Sequence, residues 1–389
     1  MRILWNNHRD SSHPRAGGAE QTIRAVGGRL ATSGHEVHLL TSRAPGAPAE
    51  ETVDGIQVHR FSGAVGAHLA LPEQLRRLRP DVVVDDLGHV VPWMSPQLGP
   101  SPGVAFFRHL HRRTLAGQVA PWLVPPLIAV ERSYPVVYRS WSFVAESGSS
   151  ARDLRALGVR ERSITPIPPG VDLERFTPGD RSRDPSFVFF SGMRAYKRPD
   201  HAIRALGVLR AGGLRASLDV VGAVLDDAWI RSLPEKCGVA DDVRFLGRLT
   251  DADLEAVVRR AWANVNCSVS EGWGYSILES AAAGVPTAGY SVPGVRDAVG
   301  SGAIGRLAPD GDVPALARAM GELLKRSTEW RDRCRAYAEQ FPWSRCAGRW
   351  EELLQRTAAR TPLSDPRGDR IDFTAPPDLP DELHEATTR

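Results

Sequence analysis

The residues best suited to chemistry fall in a few short segments. The most compact is Ser270-Glu-Gly-Trp-Gly-Tyr-Ser-Ile-Leu-Glu279, followed by Ser280-Ala-Ala-Ala-Gly-Val-Pro286. Gly272 and Gly274 let the backbone approach a ligand closely, and a helix expected from near Ser276 to Gly284 offers unpaired N–H groups to phosphate. Glu279 is expected in the first turn of that helix. There a carboxylate gains about 0.3–1 kcal/mol from the macrodipole with no functional role at all. Glu271 sits in the preceding loop and has no such explanation. A second segment, Ser191-Gly-Met-Arg-Ala-Tyr-Lys-Arg-Pro-Asp200, gathers Arg194, Lys197 and Arg198 just before a helix opened by Pro199. Cations sit badly at a helix N-terminus. A dianionic phosphate between helix and side chains turns that conflict into a binding site; a solvated basic loop is the alternative. A third, weaker signal is Gly17-Gly18 at the start of the first helix, where free N–H groups favour an anion. It is not GxGxxG, and the second strand runs into Thr41-Ser42-Arg43 without an acidic residue for a ribose. Both points count against a nicotinamide dinucleotide site.

The elements that must position these residues follow an α/β pattern. Strands are expected at residues 2–5, 36–41, 55–60, 81–85, 104–108 and 142–145, with helices after Gly18 and over 149–157. Residues 164–172 (ITPIPPGVD) are proline-rich, which resists helix and central strand alike, and read as a domain junction. The pattern then restarts. Strands are expected at 187–191, 217–221, 243–245, 263–267 and 286–290, a loop and helix over 270–283, and helices over 313–325 and 328–340. The expected organisation is an N-terminal Rossmann-like domain (1–165), a linker (166–186) and a second Rossmann-like domain (187–342). A helix over 343–359 crosses back to the first domain, and residues 360–389 form a disordered tail. Ligands of such α/β folds bind at the strand ends.

Composition narrows the function classes. A formal net charge of +3, with no long Lys/Arg block, gives no argument for nucleic acid. Cys237, Cys267, Cys334 and Cys346 form no CxxC pair, so reduced thiols in a cytoplasmic protein are expected rather than a zinc site or a disulfide framework. No apolar run is long enough to cross a membrane. Residues 112–141 mix Arg112, Arg113, Arg132 and Arg139 with Trp122, Leu123, Val124, Leu127, Ile128 and Val130. They suit peripheral contact with an anionic membrane or a packed helix pair with a basic rim. Asp226-Asp227 and Asp241-Asp242 fall in expected loops and read as solvated, so no metal site is expected.

Taken together, EGWGYSILESAAAGVP with Glu271 and Glu279, GGAE at 17–20, IPPGVD at 167–172, Arg194 with Lys197, and VRFLG at 243–247 resemble the family 4 glycosyltransferases of the GT-B fold. The resemblance runs along residues 1–355. It implies two Rossmann-like domains facing a central cleft and retaining transfer from a nucleotide-diphosphate sugar to a hydroxyl acceptor, with no cofactor. It also implies roles. Arg194 and Lys197 hold the donor diphosphate, Glu279 the ribose and Glu271 the transferred sugar. The backbone of Gly274, Tyr275 and Ser276 meets sugar or phosphate, and Arg248 and Leu249 lie near the base. The Gly17-Gly18 loop approaches the donor. His109, in FFRHLHRR, matches the family's histidine at a strand end, with His111 the nearby alternative. Trp273-Gly274 stands where many members have Phe-Gly, and Ser291-Val-Pro-Gly294 replaces a more polar loop. A nucleotide-sugar epimerase, a phosphorylase, or a non-catalytic sugar-nucleotide binding protein are the remaining readings.

Overall fold

The computed structural model describes residues 1–115, 117–222, 228–325 and 329–360. They form two compact units. One joins Met1–Gly170 to residues from Trp343 onward, and the other is Val171–Pro342.

The first unit is built on β1 (Arg2–Asn6), β2 (Glu36–Ser42), β3 (Glu50–Val53), β4 (Ile56–Phe61), β5 (Val82–Asp86), β6 (Gly103–Phe107), β7 (Ser142–Ala145) and β8 (Ile164–Pro166). Their order in the sheet is β3-β4-β2-β1-β5-β6-β7-β8, and only β3 runs antiparallel. Ile3, Leu4 and Trp5 are all fully buried, as are Val82, Val83 and Val84. Helices cover both faces of a parallel sheet, so its strands read as unbroken apolar runs rather than alternating ones. β8 is one of the two edge strands, where a proline that lacks the N–H is tolerated.

The second unit repeats the plan with β9 (Ser186–Phe190), β10 (Ser217–Val221), β11 (Val243–Gly247), β12 (Ala263–Asn266), β13 (Thr287–Tyr290) and β14 (Gly305–Ala308). The order is β11-β10-β9-β12-β13-β14, all parallel. Each sheet starts from an interior strand, grows one way, then resumes on the other side. The direction reverses between β1 and β5 in the first sheet and between β9 and β12 in the second. Loops leaving the carboxyl ends of such a pair diverge and leave a crevice for ligands.

The expected linker over 166–186 divides differently. Val171 and Phe176 are buried in the core of the second unit, so the chain joins that unit at once. The helix Trp343–Ala358 belongs to the first unit. Its Trp350 is fully buried against Trp5 and Phe106, at centroid distances of 5.0 and 4.9 Å. Several elements lie outside the sequence expectations: β3, the helix Gly63–Leu78, the helix Asp251–Arg260 and β14. The tail expectation falls beyond residue 360, and Asp226-Asp227 falls within 223–227; both lie outside the described residues.

Candidate active site

In the second unit the switch between β9 and β12 brings the two strongest sequence signals together. The loop after β9 ends in a short turn, Ala195–Lys197. The loop after β12 carries Glu271. Val269 N–H donates to the Tyr196 carbonyl at 2.9 Å and ties the loops to each other. Lys197 Nζ lies 2.5 Å from Glu271 Oε1, and Ser268 Oγ donates to the same oxygen at 2.6 Å. Burial penalises the Lys197 ammonium, but the Glu271 carboxylate beside it and Tyr196 together outweigh burial and hold its pKa above the ordinary lysine value. Arg194 lies in the same loop, half-buried. Among the described residues its guanidinium makes no hydrogen bond or ion pair.

The Glu271 loop is braced from behind. Glu271 N–H donates to the Pro293 carbonyl at 3.0 Å. Gly294 has φ +78°, and a Cβ there would stand 2.2 Å from the Glu271 carbonyl oxygen, so only glycine fits. The helix Tyr275–Ala282 follows, with Gly274 as its N-cap at φ +108° and no side-chain cap. The first N–H groups of a helix have no partner within it, and Ser276 stands in that first turn. Ser276 Oγ accepts from Asn266 Nδ2 at 3.5 Å.

Some expectations are corrected. Glu279 is not in the first turn but is the fifth residue of the helix, so the macrodipole does not account for it. Arg198 does not face a phosphate site. At φ +50° its backbone turns the side chain to the carbonyls of Cys267 (2.6 Å) and Ser268 (3.0 Å) and to Asp310 (2.6 Å). Arg198 braces the end of β12. Arg248 is exposed just past β11, and Leu249 packs on the core. Both stand at the sheet edge, separated by β10 from β9. Asp241 is exposed, but Asp242 is half-buried and paired with Arg210 at 3.3 Å.

In the first unit, Gly17 caps the helix Gly18–Thr32 in an extended conformation, and its N–H is not free for an anion. It donates to Glu20 Oε2 at 2.7 Å. Burial raises the Glu20 pKa. His109 is half-buried just past β6. His111 is buried, with Nε2 at 2.9 Å from the Leu87 carbonyl and its N–H donating to Glu131 at 2.5 Å. His111 is therefore a packed structural residue, and His109 remains the more accessible of the two. Arg108, between them and the sheet, bridges Asp86 (2.9 and 2.7 Å) and Glu146 (2.7 Å) and donates to the Ala19 carbonyl at 3.3 Å.

Residues 16–175 match the family described as Glycosyltransferase Family 4, and residues 171–341 match Glycosyl transferases group 1. The chain is similar to the D-inositol 3-phosphate glycosyltransferase of Salinispora tropica, 31% identical over 405 residues that cover 90% of this chain and 83% of that protein.

The chain belongs to glycosyltransferase family 4.

Its fold is that of the GT-B glycosyltransferases. Sucrose-phosphate synthase from Thermosynechococcus elongatus matches it with a TM-score of 0.78 at 19% identity, over 93% of this chain and 100% of that one. Anabaena HepE, solved with UDP and glucose, matches with a TM-score of 0.71 at 16% identity, over 91% and 99%. In this family 4 glycosyltransferase, sequence reasoning missed Ser268, Pro293 and Arg108. Ser268 stands three residues before Glu271, and the Pro293-Gly294 pair marks a strand-end turn. Arg108 stands beside His109 but was not separated from the basic run that follows it.

Proposed function

We propose that this glycosyltransferase moves a sugar, with retention, from a nucleoside-diphosphate donor to a hydroxyl acceptor without a metal ion. The observation that carries the reading is the Lys197–Glu271 pair at the β9/β12 switch, in the same loop pair as the half-buried Arg194 and the Gly274-capped helix. Arg194, Lys197 and the helix N–H groups offset the charge that develops on the departing diphosphate. Glu271 meets the sugar hydroxyls, Glu279 the ribose, and Arg248 and Leu249 the base. The sugar–phosphate C–O bond breaks, the acceptor oxygen bonds the same carbon on the same face, and the acceptor proton passes to the departing phosphate. Position supplies much of the rate.

Solved neighbours that carry UDP and UDP-glucose support a uridine donor. Relatives named for D-inositol 3-phosphate make that polyol the first acceptor to test. A lipid-linked acceptor is favoured by the surface of residues 112–141. Trp122 is 74% exposed and Val136 71%, with Arg132 and Arg139 also exposed. Arg112 and Arg113 are instead paired with Glu131 and Asp153. Among the described residues no helix is long and apolar enough to cross a membrane. A mass-spectrometric screen of nucleotide sugars against inositol 3-phosphate and lipid-linked acceptors, with and without EDTA, tests the reading. We expect a glycosylated product from a UDP-sugar in both conditions. Product that vanishes with EDTA and returns with magnesium overturns the metal-free reading. Donor turnover without any acceptor product overturns transfer.

A further inference from the structure

Glu271 has two carboxylate oxygens, and the structure uses only one of them. Oε1 accepts from both Lys197 Nζ and Ser268 Oγ, and among the described residues Oε2 takes no hydrogen bond. Ser268 is buried and held on both sides of its own peptide. Its N–H donates to Asn266 Oδ1 at 3.1 Å, and its carbonyl accepts from Arg198 at 3.0 Å. A hydroxyl on so fixed a backbone has little freedom of its own.

We propose that Ser268 is a positioning residue of the transfer reaction, fixing Glu271 so that Oε2 alone faces the transferred sugar. The inference rests on the reading that Glu271 contacts the sugar. Lys197 cannot perform this task by itself. Its ammonium is a point charge on a flexible stem with three donors, and an incoming diphosphate draws it away from the carboxylate. The Ser268 hydroxyl carries no charge for the diphosphate to attract, so it stays on Oε1 throughout the reaction. One donor on a rigid backbone then stops rotation of the carboxylate, at the stage when Oε2 must lie within hydrogen-bond reach of a sugar that gains positive charge.

The test compares Ser268→Thr with Ser268→Val. The two share a shape, so the packing cost of the added methyl cancels between them, and only Thr retains the hydroxyl. We expect kcat to be about tenfold lower in the Val variant than in the Thr variant, as for loss of a hydrogen bond to a charged group. Donor KM should change less than about twofold between them. In a Glu271→Ala background the Thr and Val variants should turn over alike, because the group they position is gone. Equal kcat for Thr and Val in the otherwise native enzyme overturns the proposal. So does a Thr/Val gap that persists with Ala at 271, which marks a purely structural role. Glu271→Gln measured alone separates the two layers. A wild-type rate there sinks the site reading and this inference with it, whereas a slow Glu271→Gln with equal Thr and Val sinks only the inference.

Discussion

Lys197 is bonded to Glu271, so the diphosphate must compete with a carboxylate for it. Glu271→Gln removes that competitor along with the charge that faces the sugar. We expect kcat to fall about 10²-fold or more, the scale for loss of a preorganised charged contact. UDP affinity should hold or rise, because the Lys197 ammonium is released to the phosphates. Calorimetry with UDP and product assays on the same preparation check both halves, and a loss of UDP affinity that matches the loss of rate contradicts the argument. Glu271 and Lys197 were legible because each is a charge without a cheap structural reason, one just before a Gly-x-Gly loop and one at a helix start. Ser268 was not, since hydroxyls are common and only the folded loop shows which oxygen it meets. Arg198 was misread because sequence does not reveal the φ of +50° that swings it toward Cys267 and Ser268.

At the scale of elements, Arg108 joins the ends of β5 and β6, the residue after β7, and the start of the helix Gly18–Thr32, through Asp86, Glu146 and the Ala19 carbonyl. Arg108 and both carboxylates are buried. Removing one member of a buried ionic cluster leaves uncompensated charge, typically at a cost of 3–5 kcal/mol, roughly. We therefore expect Arg108→Leu to destabilise the first unit by about that much and to loosen the Gly17-Gly18 turn. Chemical denaturation followed by tryptophan fluorescence checks the first part. A change under about 1 kcal/mol would show that the cluster is replaceable. Central strands such as β1, β5 and β9 could be read from their unbroken apolar runs. The helix Gly63–Leu78 could not, because glycine, alanine and an internal Pro72 hide its period. β14 has only four residues and offers too short a pattern.

Across the whole molecule, buried histidines concentrate in the first unit. Burial holds His8, His38, His68 and His111 below the ordinary imidazole pKa, and for His8 the neighbouring His89 and His68 add to it. The unfolded chain takes up these protons near pH 6.5 while the folded chain resists them, so acidification from neutrality lowers stability. Three carboxyls act in the opposite sense. Burial raises Asp85 to about 6, and also raises Glu20 and Asp153. Folded Asp85 gains its proton as the pH falls through about 6, and folded Glu20 and Asp153 gain theirs above the ordinary carboxylate range, which offsets part of the loss at lower pH. The histidine effect therefore appears first. We expect the Tm of the first unit to fall by a few degrees between pH 7.5 and 6, at about 2–4 °C per kcal/mol. Calorimetry across that range checks it, and a flat or rising Tm refutes it. The two-domain plan was legible because the α/β pattern restarts after a proline-rich stretch. Its boundary at Gly170 was not, because the packing of Val171 and Phe176 is a tertiary fact. The first unit also depends on the helix Trp343–Ala358, whose Trp350 fills the space beside Trp5 and Phe106. A chain ending at Pro342 should keep a cooperative transition for the second unit and lose protection of the first, as hydrogen exchange would report; unchanged protection in both would disprove the dependence. Domains generally fold as they leave the ribosome, N-terminal first. Here the second unit is contiguous and complete as soon as Pro342 is made. The first, although translated earlier, must wait with an open core for the helix that closes it, so translation and folding of the two units finish in opposite order.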